Sequence, residues 1–156
     1  MSQIIYRTYA KRVPKKFREY EDSSCNKPRG GLWGCRGTEW LEWCEIEDFP
    51  CVETYYEWVL KKGARVFEIR TCLDLVYLML EYGNEMTIDY GKVMEDYDAV
   101  ELFPEVNSLC HAGLPREMFE LPRAAKIPTV LKLLAINTWD VPSIVVLRPN
   151  EFVEVI

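Results

Sequence analysis

The stretch Lys27-Pro28-Arg29-Gly30-Gly31-Leu32-Trp33-Gly34-Cys35 constrains the fold more than any other part of the chain. Two adjacent glycines admit positive φ and close backbone approach. A bulky Leu32-Trp33 step follows at once, and then small residues again. A turn running into a short strand satisfies that pattern. Three tryptophans fall within eleven residues, at 33, 40 and 43. Two readings stand side by side: a core corner in which each indole buries about 150–250 Å², or the floor of a cleft.

The remaining punctuation predicts short elements. Residues 3–9, rich in β-branched and aromatic side chains, read as a strand with Arg7 near its middle. Residues 10–29, polar, basic and bracketed by Pro14 and Pro28, read as a connection with a turn of helix near Lys15–Tyr20. Gly30–Cys35 reads as a second strand. Thr38 is placed to cap a helix whose spacing sets Trp40, Trp43 and Cys44 on one face. Residues Glu53–Lys62 suit helix or strand. Ala64–Arg70 alternates polar and apolar, the mark of a half-buried strand. Thr71 and Asp74 form a capping-box pair that opens a helix over Leu73–Tyr82, stopped at Gly83-Asn84.

A further helix is expected over Asp89–Asp96 and a strand over Tyr97–Leu102. Residues 105–127 read as irregular and 129–136 as a short helix. Strands over Ile144–Leu147 and Phe152–Ile156 close the chain, with a Pro149-Asn150 turn between them. This order is neither a regular βα alternation nor a helix bundle. It predicts an α+β domain spanning 1–156, a small mixed split sheet with peripheral helices.

Charge and cysteine content narrow the function. Residues 1–20 hold six basic groups and one acid, so they carry +5 and the other residues −11 of the net −6. An acidic body is a poor non-specific partner for nucleic acid, so direct nucleic-acid binding is not expected. The longest apolar run, Leu75–Leu80, is six residues, against the ~20 a membrane span needs. No secretory signal pattern opens the chain, and the six cysteines include no Cys-x-x-Cys pair. The expectation is therefore reduced thiols in a cytoplasm, with no membrane partner and no metal site. Gly30-Gly31 lacks the Lys-Ser/Thr of a phosphate loop. Cys110-His111 are sequence neighbours, which disfavours a catalytic dyad.

Four places together form a pattern: Tyr6-Arg7-Thr8 on the first strand, Gly31-Leu32-Trp33-Gly34-Cys35 on the second, Tyr97-Asp98-Ala99-Val100, and the closing Ser143–Phe152. This combination resembles the ADP-ribosyltransferase-like fold, and is most similar to small divergent members found in bacteria and their phages. The resemblance implies NAD as a substrate. It gives Arg7 to the NAD ribose and phosphate, and Trp33 with Cys35 to the nicotinamide site. The family's catalytic Glu position falls on Ser143, within reach of Asp140. Serine carries no charge, so Asp140, or Glu101 as the alternate carboxylate, takes the oxocarbenium-stabilising role.

The candidate catalytic residues are thus Arg7, Asp140 and Glu101. Candidate NAD-binding residues are Tyr6, Arg7, Thr8, Gly31, Leu32 and Trp33, with Cys35, Trp40, Trp43 and Ser143 completing the pocket. The chemistry is coherent. A guanidinium recognises pyrophosphate bidentately, nicotinamide stacks on aromatic faces, and a carboxylate stabilises an oxocarbenium-like transition state.

The implied function is an NAD-dependent ADP-ribosyltransferase, a bacterial or phage effector that modifies a host macromolecule in the host cytoplasm. The partner would be a host protein or protein–nucleic acid complex. The alternative is a catalytically degenerate binding module on the same fold that inhibits a host defence complex by protein–protein contact. Its acidic body would then mimic nucleic-acid charge. A third reading is a domain that binds NAD-derived nucleotides without chemistry.

Overall fold

A computed structural model describes residues 2–21, 27–83, 87–106 and 139–156. The chain order is β1 (Ile5–Tyr9), β2 (Leu32–Gly34), α1 (Glu39–Ile46), β3 (Tyr55–Leu60), β4 (Val66–Ile69), α2 (Cys72–Tyr82), α3 (Tyr90–Asp96), β5 (Ala99–Leu102), β6 (Ile144–Val146), α4 (Pro149–Phe152) and β7 (Val153–Val155). The expected helix at 129–136, nearly all of the irregular stretch 105–127 and the Cys110-His111 pair lie outside the described residues.

The fold is mixed α+β and built on two small sheets. One is three-stranded and antiparallel, in the order β1-β3-β7. The other is four-stranded, in the order β2-β6-β5-β4, and its β4–β5 pair is parallel. Parallel neighbours need a long crossover, and α2 and α3 lie within this one. The Thr71/Asp74 capping box opens α2 as expected: Asp74 N–H donates to Thr71 Oγ1 at 3.3 Å and Thr71 N–H to Asp74 Oδ2 at 2.8 Å. No described helix is long and apolar enough to cross a membrane.

Strand periodicity assigns two cores. From β5, Val100 and Leu102 join Ile69, Leu75, Leu78 and Val93 in the core shared with α2 and α3. Ala99, on the opposite face, joins Tyr6, Leu32, Trp58, Ile144, Val146 and Val153 between the sheets. The four-stranded sheet is therefore covered on both faces, and every residue of β5 and β6 is buried.

A pair of backbone hydrogen bonds links the two sheets. Arg7 N–H donates to the Cys35 carbonyl at 2.7 Å, and Cys35 N–H donates to the Arg7 carbonyl at 3.0 Å. Below this link, Trp58 of β3 fills the gap. Its ring stacks on Tyr6 with centroids 4.9 Å apart, and a Cβ on Gly34 would come within 2.6 Å of its Cζ2. Gly34 is glycine because an indole occupies that space.

Three local expectations need correction. Residues 15–20 form no helical turn. They run irregularly and are anchored by Tyr20 N–H on the Leu147 carbonyl and by Asn150 on Phe17 and Glu19. Pro149-Asn150 is not a plain turn: proline's fixed φ suits the first helical position, so α4 forms and takes Phe152 from the expected last strand. Thr38 occupies the N-cap position of α1 without capping it, because its hydroxyl bonds Glu42 instead. The ambiguous segment 53–62 contains the strand β3.

Asp98, fully buried just before β5, ties the crossover together. Its carboxylate accepts from the Arg65 N–H, Nε and Nη2 at 2.9–3.2 Å, and Arg148 Nη1 lies 3.5 Å away. Burial opposes the charge, but these hydrogen bonds outweigh it and hold the carboxyl below its ordinary value. A depressed folded pKa contributes stability that is complete above the unfolded value of about 3.9 and is lost as pH falls through the folded value. Asp98→Asn is expected to cost roughly 1–3 kcal/mol at neutral pH. The gap to the parent protein should close as the solution is acidified below pH ~3.9, which urea midpoints measured across the acid range would read.

Candidate functional site

A cleft of about 300 Å³, wider than its neighbour near Glu101, opens beside the Arg7–Cys35 link. β1 supplies Arg7, Thr8 and Tyr9. β2 and its extension supply Trp33, Gly34 and Cys35. The segment leading into β6 supplies Trp139, Asp140, Val141 and Ser143, while Lys27 and Trp40 complete the wall. The volume sits at the lower end for small-molecule sites.

Each wall group has a definite partner. Arg7 Nε donates to Glu57 Oε1 at 3.0 Å, and the guanidinium carbon lies 4.6 Å from the Tyr55 ring centroid. The Glu57 hydrogen bond raises the Arg7 pKa further, so this group is a fixed cation. Lys27 Nζ lies 3.1 Å from Asp140 Oδ2 and 5.2 Å from the Trp33 ring centroid. Trp33 meets the fully buried Trp139 edge to face at 4.8 Å. Thr8 Oγ1 donates to the Trp33 carbonyl at 2.6 Å and accepts from Trp58 Nε1 at 2.8 Å. That relay ties the indole wall to the buried core between the sheets. Burial pushes the Cys35 thiol above its ordinary pKa, so it is protonated at neutral pH and unsuited to nucleophilic chemistry. The Ser143 hydroxyl donates to the Val141 carbonyl at 3.0 Å.

Of the residues singled out in the sequence, the cleft brings together Arg7, Thr8, Trp33, Cys35, Trp40, Asp140 and Ser143. The others sit elsewhere. Tyr6 and Leu32 are buried between the sheets. Gly31 holds a φ of +70° against the Val146 backbone, where a Cβ would meet the carbonyl oxygen at 2.7 Å. Trp43 stacks on Trp40 at 5.1 Å, behind the lining.

Glu101 faces a second, smaller cleft of about 140 Å³, reached past Cys35 and Ser143. It is almost fully buried and fully engaged. Arg36 Nε donates to Oε1 at 2.7 Å, Arg36 Nη2 to Oε2 at 3.0 Å and the Tyr6 hydroxyl to Oε2 at 3.1 Å. Burial first, and the adjacent Glu101 charge second, drive the Tyr6 phenol far above its ordinary pKa. Glu101 is thus committed to joining β5 to β1 and to the residue after Cys35. It is not a second carboxylate for the wider cleft.

No family model, curated protein or solved structure matches this chain. The site must be read from its own geometry.

Sequence reasoning gave no role to Lys27, Tyr9 or Glu57. Lys27 and Asp140 are 113 positions apart, and nothing local predicts that pairing. Glu57 was legible only after β3 was known to be a strand, because antiparallel register then places it opposite Arg7.

Chemically, the wide cleft offers an aromatic wall, two cationic side chains and one carboxylate. Asp140 Oδ1 has no protein partner among the described residues. The set suits a ligand combining a planar ring with negative charge.

Proposed function

We propose that the wide cleft binds NAD and that the protein is an NAD-dependent ADP-ribosyltransferase-like enzyme. The supporting observation is the convergence of Arg7, Trp33 and Asp140 from three separate parts of the chain on one cleft. Arg7 and Lys27 recognise phosphate oxygens, and Trp33 or Trp40 takes the nicotinamide ring. A cleft of about 300 Å³ accommodates one nucleoside half, with the rest of the dinucleotide along its open mouth. Cleavage breaks the bond between the ribose C1′ and the nicotinamide nitrogen. Its electron pair leaves with neutral nicotinamide, and the Asp140 carboxylate stabilises the positive charge developing on the ribose. The nucleophile is a group on a target macromolecule.

The degenerate alternative has its own support. Ser143 stands at the family's Glu position with its hydroxyl committed to Val141, and Glu101 is held by Arg36 and Tyr6. On this reading the cleft does no chemistry and the protein acts on a host complex by protein–protein contact.

A single titration separates the readings. NAD at a hundredfold over its Kd should stabilise the chain by about 2.7 kcal/mol, a rise in Tm of roughly 5–10 °C for this size. The same sample, given radiolabelled NAD and a cell lysate, should release nicotinamide. A thermal shift without release selects the domain that binds NAD-derived nucleotides without chemistry; no shift at all rejects the NAD reading.

A further inference from the structure

Residues 37–54 contain six acids (Glu39, Glu42, Glu45, Glu47, Asp48 and Glu53) and no basic residue. This one stretch carries −6, equal to the net charge of the whole chain. None of the six forms an ion pair among the described residues. Glu45 in the last turn of α1, with Glu47 and Asp48 just beyond it, stands where the helix dipole disfavours negative charge. The placement works against the helix, and nothing within the described fold relieves it.

The same stretch carries exposed aromatic and aliphatic surface. Trp40 and Trp43 stack at an interplanar angle of 16°, and Phe49 packs against both, at 6.1 and 5.5 Å. Phe49 is 49% and Ile46 79% exposed, while α1 buries only Cys44. A helix that gives the core so little and leaves two stacked indoles half-buried beside an exposed Ile46 and Phe49 is poorly explained by folding alone. Half-buried indoles on a stretch whose six acids form no ion pair among the described residues suit one kind of group, a guanidinium or ammonium, which takes cation–π attraction from the rings and charge attraction from the acids.

We propose that the ledge formed by α1 and the loop to Phe49 is a docking surface for a basic, arginine- or lysine-rich segment of a partner protein. Trp40 belongs both to the ledge and to the wall of the wide cleft, so a segment lying on the ledge would pass the cleft mouth. The ledge shares Trp40 with the cleft but does not rest on what the cleft binds, and its test uses no NAD.

The probe is a fluorescein-labelled peptide alternating arginine with glycine, with a glutamate–glycine peptide as control, read by anisotropy. The arginine peptide should bind, lose affinity as salt rises, and quench tryptophan fluorescence; the control should do neither. Trp43→Ala and the charge reversal Glu45→Lys/Glu47→Lys should each weaken binding about tenfold or more. Glu45 and Glu47 are exposed and hold no side-chain hydrogen bond, so the reversal variant keeps the test sound if Trp43→Ala misfolds. Absence of binding, or binding indifferent to the charge reversal, overturns the proposal. So does an oligomer of the unliganded chain that the reversal dissociates, because a second copy would then cover the ledge.

Discussion

Trp58→Ala should cost about 4 kcal/mol of folding stability, within the ~3–5 kcal/mol range for truncating a buried Trp. Trp58 is fully buried at the centre of β3. Its ring supports Tyr6 on the neighbouring strand and lies against Gly34, so its loss empties the space between the two sheets. The loss reaches the site because Trp58 Nε1 holds Thr8 Oγ1, and Thr8 in turn holds the Trp33 carbonyl. Once the indole N–H is gone, Thr8 is left with a weaker grip on the strand that presents the cleft wall. Trp58→Phe tests this division of labour. It keeps most of the ring volume, loses the donor, and should cost only about 1–2 kcal/mol. Urea unfolding followed by circular dichroism measures both. Against a total of about 5–15 kcal/mol for an ordinary domain, the alanine variant should be marginal, and a Trp58→Phe midpoint equal to that of the parent protein would show that the Thr8 link contributes nothing.

Local signals in the sequence were readable because the forces behind them are local. Alternation at 64–70 marks β4, and the Thr71/Asp74 box opens α2, since both depend on residues within a few positions of each other. The segment at 53–62 was ambiguous because Tyr55-Tyr56-Glu57-Trp58 suits either a helix face or a strand. Burial of Trp58 and Val59 between β1 and β7 decides for the strand.

The site was half legible. Arg7, Trp33 and Asp140, which the resemblance singles out, share one cleft, but their ionic partners are not visible in the sequence. Glu101 shows the limit most clearly. Within Ala99-Val100-Glu101-Leu102 the period-two pattern separates two faces without saying which one meets solvent. Both are covered, and the acid is sealed against Arg36 and Tyr6. A carboxylate in a mostly apolar strand is more informative about a buried ion pair than about a free acid, because leaving it unpaired there would cost several kcal/mol.

Asp140→Asn should separate binding from bond cleavage. If NAD occupies the wide cleft, the carboxylate acts mainly on charge that develops as the nicotinamide departs. Neutralising it should lower nicotinamide release about 10²–10³-fold, the scale for removing one preorganised electrostatic partner of a transition state. Ground-state affinity should change little, because the asparagine oxygen can still accept from Lys27, and Arg7 and Trp33 remain. Glu101→Gln is the necessary contrast. Its side chain belongs to the neighbouring cleft, so release should persist while stability falls by roughly 1–3 kcal/mol through the weakened Arg36 and Tyr6 contacts. Single-turnover nicotinamide release and calorimetric NAD affinity, measured on both variants, read the two effects separately. If release is lost on changing Glu101 and kept on changing Asp140, the working carboxylate lies on the Arg36 side, and the reacting ribose must be placed in the smaller cleft. If NAD binds and neither variant alters release, the cleft holds NAD without either acid acting on the glycosidic bond, and the transferase reading fails on its central step.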